Sequence, residues 1–162
     1  MTLPRSLKAA ALVSTTAAST LLLIQACGGG AIAQGASDPI EGVWETVASQ
    51  RDCGTGAVLS TFRSAQVFHQ GGTFGDTSSH APTSRGPAYG LWSRSGDSYA
   101  VKFRFFRYAA DGSATGSTVA TVTVALAADG NSFTATRSSQ VLDNAGAVLA
   151  TVCASDVGTR FR

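Results

Sequence analysis

From Gly42 onward the chain follows a period of two in its apolar and polar residues, with hardly a helical period anywhere. Turn signals interrupt this pattern at QGG (70–72), SGD (95–97), ADG (110–112), ADG (128–130) and DNAG (143–146). Asp-Gly between β-prone runs marks a tight hairpin, because the turn needs a positive φ that glycine supplies. The pattern predicts eight strands, at 42–52, 58–69, 72–79, 87–95, 98–108, 117–127, 131–142 and 147–161. Short connections make sequence neighbours sheet neighbours. A meander without a covering helix leaves two exposed edges unless it closes on itself. The expected fold is therefore all-β, an eight-stranded antiparallel up-and-down barrel.

Ahead of the strands, Arg5 and Lys8 precede an apolar stretch from Ala9 to Ile24 and then small residues, the layout of a secretory signal. Hydroxyl residues interrupt that stretch, and it falls short of the about 20 apolar residues a comfortable membrane span needs. Two cleavage points compete. Ile24-Gln25-Ala26-Cys27 resembles a bacterial lipobox, with a cut before Cys27 and lipidation of that cysteine, whereas Ala31-Ile32-Ala33 is an Ala-x-Ala site. The apolar run ends at Ile24, close to Cys27 and well short of Ala33, which favours the first. The predicted organisation is a signal peptide over 1–26 (alternatively to 33), a flexible tether over 27–39 and a single β-barrel domain over 40–162. GGGAIAQGAS suits a tether, since it cannot bury enough apolar surface to order itself. The expected destination is the cell envelope, at the outer membrane or periplasmic face. A cut after Ala33 predicts a secreted or periplasmic protein instead.

An oxidising destination makes a disulfide the default for Cys53 and Cys153, neither of which lies in a C-x-x-C or near a histidine in sequence. Such a bridge closes about a hundred residues and contributes about 4 to 5 kcal/mol in the chain-entropy model, less any native strain. It would tie the first strand to the last. Setting the two cysteines directly opposite each other puts Trp44 near Arg162 and Thr46 near Arg160.

Gly42-Val43-Trp44 at the start of the first strand, with Arg160 or Arg162 at the end of the last, resembles the lipocalin and wider calycin pattern. The resemblance implies that the tryptophan packs across one end of the barrel and the arginine covers it. In front of it, Asp38-Pro39-Ile40-Glu41 has capping-box spacing with proline at the first helical position, which predicts a short helical turn before strand 1. That turn would plug the barrel floor.

Charge narrows the partners. Arg5 and Lys8 leave with the signal, so ten basic residues face ten acidic ones and the mature chain is formally neutral. Without a basic patch there is no electrostatic case for nucleic acid or an acidic membrane surface. Catalytic motifs are lacking too: His69 and His80 are the only histidines, and there is no G-x-S-x-G, H-E-x-x-H or glycine-rich phosphate loop. Ser95-Gly96-Asp97-Ser98 superficially resembles a serine-protease nucleophile segment, but Tyr99-Ala100 replace its following glycines. The sequence reads as a non-enzyme with no cofactor and no metal site.

An eight-stranded barrel is either filled by side chains or holds one small ligand. On the fifth strand Val101, Phe103 and Phe105 share a face opposite Lys102 and Arg104, after which the phase reverses, predicting a bulge near Phe105 and Phe106. These aromatics are barrel wall or the lining of a cup. On the seventh strand Phe133, Ala135, Arg137, Ser139 and Val141 share a face. Facing inward, Arg137 is a buried cation needing an acidic side chain or an anionic ligand group. Otherwise it sits at the mouth and reaches water. SSHAPTSRGPAYG (78–90) predicts a projecting loop with Arg85-Gly86 at its tip, beside the strand carrying Tyr89 and Trp92.

Arg137, Phe103, Phe105, Tyr89, Trp92 and Arg85 are thus the candidate contacts to a ligand or partner. The favoured expectation is a binding module for a small apolar or amphipathic ligand, held at a membrane by the lipid on Cys27. The alternative is a protein-binding barrel, such as an inhibitor of a secreted hydrolase acting through the 80–87 loop. A cavity of a few hundred Å³ distinguishes the first from the second.

Overall fold

The computed structural model of the protein describes residues 37–162. The signal segment, Cys27, the alternative cut after Ala33 and the tether up to residue 36 lie outside the described residues. The alternating pattern forms β1 (Gly42–Arg51), β2 (Val58–Phe68), β3 (Thr73–Ser78), β4 (Arg85–Ser95), β5 (Ser98–Tyr108), β6 (Ala114–Leu126), β7 (Ser132–Leu142) and β8 (Val148–Arg160). Each strand pairs antiparallel with the next, and β8 returns to β1, closing the barrel. Closure leaves one interior, and alternate side chains of every strand point into it.

The two ends of that interior differ. At the end where β1 begins and β8 finishes, Ile40, Trp44, Phe68, Phe74, Tyr99 and Phe133 are buried against one another. Their rings interlock at 5.0 Å for Trp44 with Phe133 and 5.1 Å for Phe68 with Phe74, in the edge-to-face arrangement the ring quadrupoles favour. Gly158 makes room for this packing, since a Cβ there would lie 2.2 Å from the Phe133 ring. Towards the other end the interior turns polar, with Thr46, Gln66, Asp76, Thr118, Ser139 and Asp156 all buried.

The chain enters through the aromatic end. Asp38 accepts hydrogen bonds at its carbonyl from the Glu41 N–H (2.9 Å) and at its carboxylate from the Ile40 N–H (3.1 Å). This is one hydrogen-bonded turn, and the described residues contain no helix, so the helical turn predicted before strand 1 is not formed. The physical reason is Gly42, whose φ of 125° swings the chain straight into β1 before a second turn can form. Ordered contacts already begin at Asp38, which also accepts from the Tyr99 hydroxyl at 2.6 Å. Burial, and then that hydrogen bond, push the Tyr99 phenol up to about 12.

Trp44 is fully buried, and its indole N–H donates to the Ile40 carbonyl at 2.8 Å. The Arg160 guanidinium lies 4.3 Å above the Trp44 ring and donates to the carbonyls of Pro39, Glu41 and Gly130. Arg160, and not Arg162, stands opposite Trp44 in the ladder. Arg162 is exposed and donates to Asn131 Oδ1. The two-residue offset has a simple cause. Cys53 lies beyond the end of β1, and Arg51 is the residue paired with Cys153, so the Cys53–Cys153 disulfide runs diagonally across a Cα separation of 5.2 Å.

The bulge is displaced as well. β5 keeps its alternation through Phe106, which is exposed, while Phe105 on one side and Arg107 on the other turn towards the interior. The extra residue belongs to β4, where Gly86 and Pro87 occupy the step between the pairs Arg85–Arg107 and Ala88–Phe105. A proline without an N–H fits a bulge where ladder bonding is already broken.

Replacing Trp44 by alanine is expected to cost about 3 to 5 kcal/mol, the range for large buried aromatics. Urea unfolding of Trp44→Ala measures it, and a loss below about 1 kcal/mol would contradict the floor described here.

Candidate functional site

At the end opposite Trp44, the interior opens into a cavity of about 250 Å³. That is room for about eight waters at their liquid volume. Its walls carry Phe62 from β2, Phe105 from β5, Val141 from β7, and Val152 and Ala154 from β8. Polar groups reach it from Gln50, His80, Ser84, Thr118 and Ser139, and three cations do so as well: Arg85, Arg107 and Arg137. Strand alternation explains most of these orientations, because Arg137 is in phase with the buried Phe133 and Ala135, and Arg107 with Phe103.

Arg137 does face inward, its side chain 9% exposed, and it finds an acidic partner. Its Nη2 lies 3.1 Å from Oδ1 of Asp156, a carboxylate 2% exposed that sits on β8 diagonally across from it. The two groups are close but not aligned as a hydrogen bond, so Asp156 Oδ1 accepts none among the described residues. Burial pushes the Asp156 pKa up, and Arg137 opposes that shift without cancelling it.

Arg85 corrects the sequence expectation most sharply. It does not form the tip of a projecting loop; it begins β4 and turns into the barrel, its side chain 8% exposed. There it pairs with Asp76, which is 2% exposed and also accepts from Gln66 Nε2 at 3.5 Å. Its guanidinium lies 4.0 Å above the Phe105 ring. Arg107, by contrast, meets only carbonyls, donating from Nη2 to Leu142 (2.9 Å) and Thr115 (3.3 Å). Nη1 of Arg85 and Nε of Arg107 are buried, and neither has a hydrogen-bond acceptor among the described residues.

His80 hangs over the rim, its Nδ1 3.1 Å from Ser78 Oγ and its ring edge-on to Phe62 at 4.4 Å. Partial burial lowers its pKa, and the Arg85 charge lowers it further, with Asp76 opposing. The Cys53–Cys153 bridge pins the β1–β2 turn beside this mouth, since Cys153 sits between the lining residues Val152 and Ala154.

Of the candidate contacts, the fold brings Arg85, Phe105 and Arg137 together at the mouth. Phe103 instead stacks on Phe74 at 5.2 Å in the core. Trp92 is also core, its indole N–H donating to the His69 carbonyl at 2.9 Å, and Tyr89 points outward, 71% exposed. Alternation divides Tyr89 from Trp92, because an odd number of steps on one strand separates inside from outside. Arg107, Asp76, Asp156, His80 and Phe62 were not picked out from sequence. Phase could have found both acids, since Asp76 follows inward Phe74 by two and Asp156 follows inward Ala154 by two.

A second depression of about 380 Å³ runs along β8, β1, β2 and β3, where Glu45, Val47, Arg63, Thr77 and Val157 are exposed. It lacks the buried charges of the mouth. Among the described residues no group of three or more His, Cys, Asp or Glu is placed to hold a metal ion. Comparison with known proteins returns no match, whether with family models, curated sequences or solved structures.

Arg137→Met is expected to destabilise the barrel by about 3 to 5 kcal/mol, because it strands the Asp156 carboxyl in the interior. The double variant R137M/D156L should lose much less than the two single losses combined. A double-mutant cycle in urea gives the coupling, and simple additivity would show that the pair is not interacting.

Proposed function

We propose that this chain is an exported β-barrel binding module that takes a small amphipathic ligand in the open mouth of its barrel. The observation that carries the reading is the asymmetry of the interior. One half is packed solid with aromatic rings, while the other holds a cavity of about 250 Å³ with apolar walls and buried, fixed cations. That volume is slightly below the usual range of about 300 to 1,000 Å³ for ligand sites, which suits a small molecule or one end of a longer one. The stack of Arg160 on Trp44 supports the calycin resemblance, and the Cys53–Cys153 bridge supports an oxidising destination. The module binds without catalysing a reaction and uses no cofactor.

The inhibitor reading has less behind it. With Arg85 turned inward, the exposed part of the 80–87 loop offers a partner His80, Ala81, Pro82, Thr83, Ser84 and Pro87, and no large anchor of the kind that dominates protein interfaces. Attachment through a lipidated Cys27 is compatible with an accessible mouth. The chain enters the barrel at Asp38, at the aromatic end, so the tether joins on the side away from the cavity. Its residues 28–37 reach at most about 35 Å.

Two measurements test the reading. In amide NMR titrations with short-chain amphiphiles, shifts should concentrate on Phe105, Thr118, Val141 and Ala154, and Val152→Trp should weaken binding at least tenfold. Shifts confined to outward residues such as Tyr89 would overturn it. In cell fractionation, the wild-type chain is expected with the membranes and Cys27→Ala in the soluble fraction, as multiple acyl chains anchor stably where one binds marginally. A wild-type protein that is soluble and unchanged by the substitution would end the lipoprotein reading.

A further inference from the structure

We infer that the ligand carries a single negative charge of carboxylate type, held in the mouth by Arg85 and Arg107, with its apolar body against Phe62, Val141 and Val152. The inference rests on the mouth-cavity reading above and assigns the chemical class of what enters. Its first ground is the charge count inside the barrel. Among the described residues, three guanidinium groups line the cavity, and two carboxylates stand beside them, one on Arg85 and one on Arg137. The formal balance is one positive charge, and arginine cannot escape it by deprotonating.

The second ground is independent of that count. A buried guanidinium normally fills its donor positions, since an unpaired charged donor away from water is costly. Arg85, more than nine-tenths buried, keeps Nη1 without an acceptor, and Arg107 keeps Nε without one, while the remaining contacts of Arg107 are to neutral carbonyls. A carboxylate has two oxygens to accept from such donors and the one charge the site is short of. A dianionic phosphate would overshoot the balance. The hydroxyls of Thr118 and Ser139 stand in the same wall as further donors. Phe62, Val141, Val152 and Ala154 supply apolar wall to the same cavity, and Val58, Leu59, Val148 and Leu149, at the starts of β2 and β8, are exposed at the same end of the barrel. Donors and apolar wall in one cavity fit an amphiphile.

Octanoate, octanol and octylamine share a chain and differ in the charge of the head, so calorimetric titration with the three tests the assignment directly. Octanoate should bind at least tenfold more tightly than octanol, the effect of one charge-assisted hydrogen bond, and octylamine should not bind. Arg107→Met, with its fold checked by amide NMR, should remove most of octanoate's advantage. If that variant does not fold, the wild-type ratio of octanoate to octanol decides alone. Equal affinity for octanoate and octanol, both blocked by Val152→Trp, overturns the anion assignment and leaves the mouth reading intact. Failure of all three probes to shift any cavity residue overturns both.

Discussion

The ladder between β1 and β8 is the constraint on which the rest depends. It converts a meander with two open edges into a closed barrel, and its register sets what meets what along the seam. Trp44 opposite Arg160 places a guanidinium over the indole face, where the cation is attracted by the ring and its N–H groups cap three carbonyls of the floor. At the other end of the seam, Arg51 opposite Cys153 brings Cys53 within bridging distance just past the last pair. One register thus closes the floor and staples the rim. A slip of one residue would send the inward set of β8, Asp156 and Gly158 among it, to the outside.

Closure also fixes the interior volume, and the chain uses it in two ways. Aromatic rings fill the end where the chain enters, with Gly158 leaving space for Phe133, and this half supplies most of the apolar burial. The other half contains groups that a core built only for stability would avoid. Two Asp–Arg pairs are enclosed there, although replacing such pairs by apolar residues of similar volume is often neutral or stabilising. Burial pushes up the Asp156 pKa beside its own partner, a sign that solvation was lost faster than pairing restored it. These costly polar groups are concentrated around the cavity at the mouth, apart from the aromatic half, and it is on them that the proposed binding rests.

The disulfide belongs to the same division. Its contribution of about 4 to 5 kcal/mol in the chain-entropy model offsets weak packing near the mouth, where residues at the start of both β2 and β8 are exposed on consecutive positions. The aromatic end needs no such bridge. A rigid floor with a stapled rim keeps the cavity walls in place without filling them.

Read alone, the amino-acid sequence determined the class, count and order of the strands, the closure and the disulfide pair, because alternation and turn glycines are local signals and two cysteines leave a single pairing, while the burial of Trp44 was implied by the calycin resemblance. It also marked Arg137 as a cation that needs a partner if its face turns inward. Tertiary structure alone decided who that partner is, since Asp156 and Arg137 meet only through the β7–β8 register. It decided likewise that Arg160 and not Arg162 covers the tryptophan, because a diagonal bridge and a directly opposed one differ by two residues while leaving the pattern of faces unchanged. Arg85 is the clearest case. Two prolines and a glycine around it signal a projecting loop, and what draws it inside is Asp76 on the neighbouring strand together with the face of Phe105. Buried charge is placed by the groups that compensate it, and those groups become neighbours only once the sheet has closed.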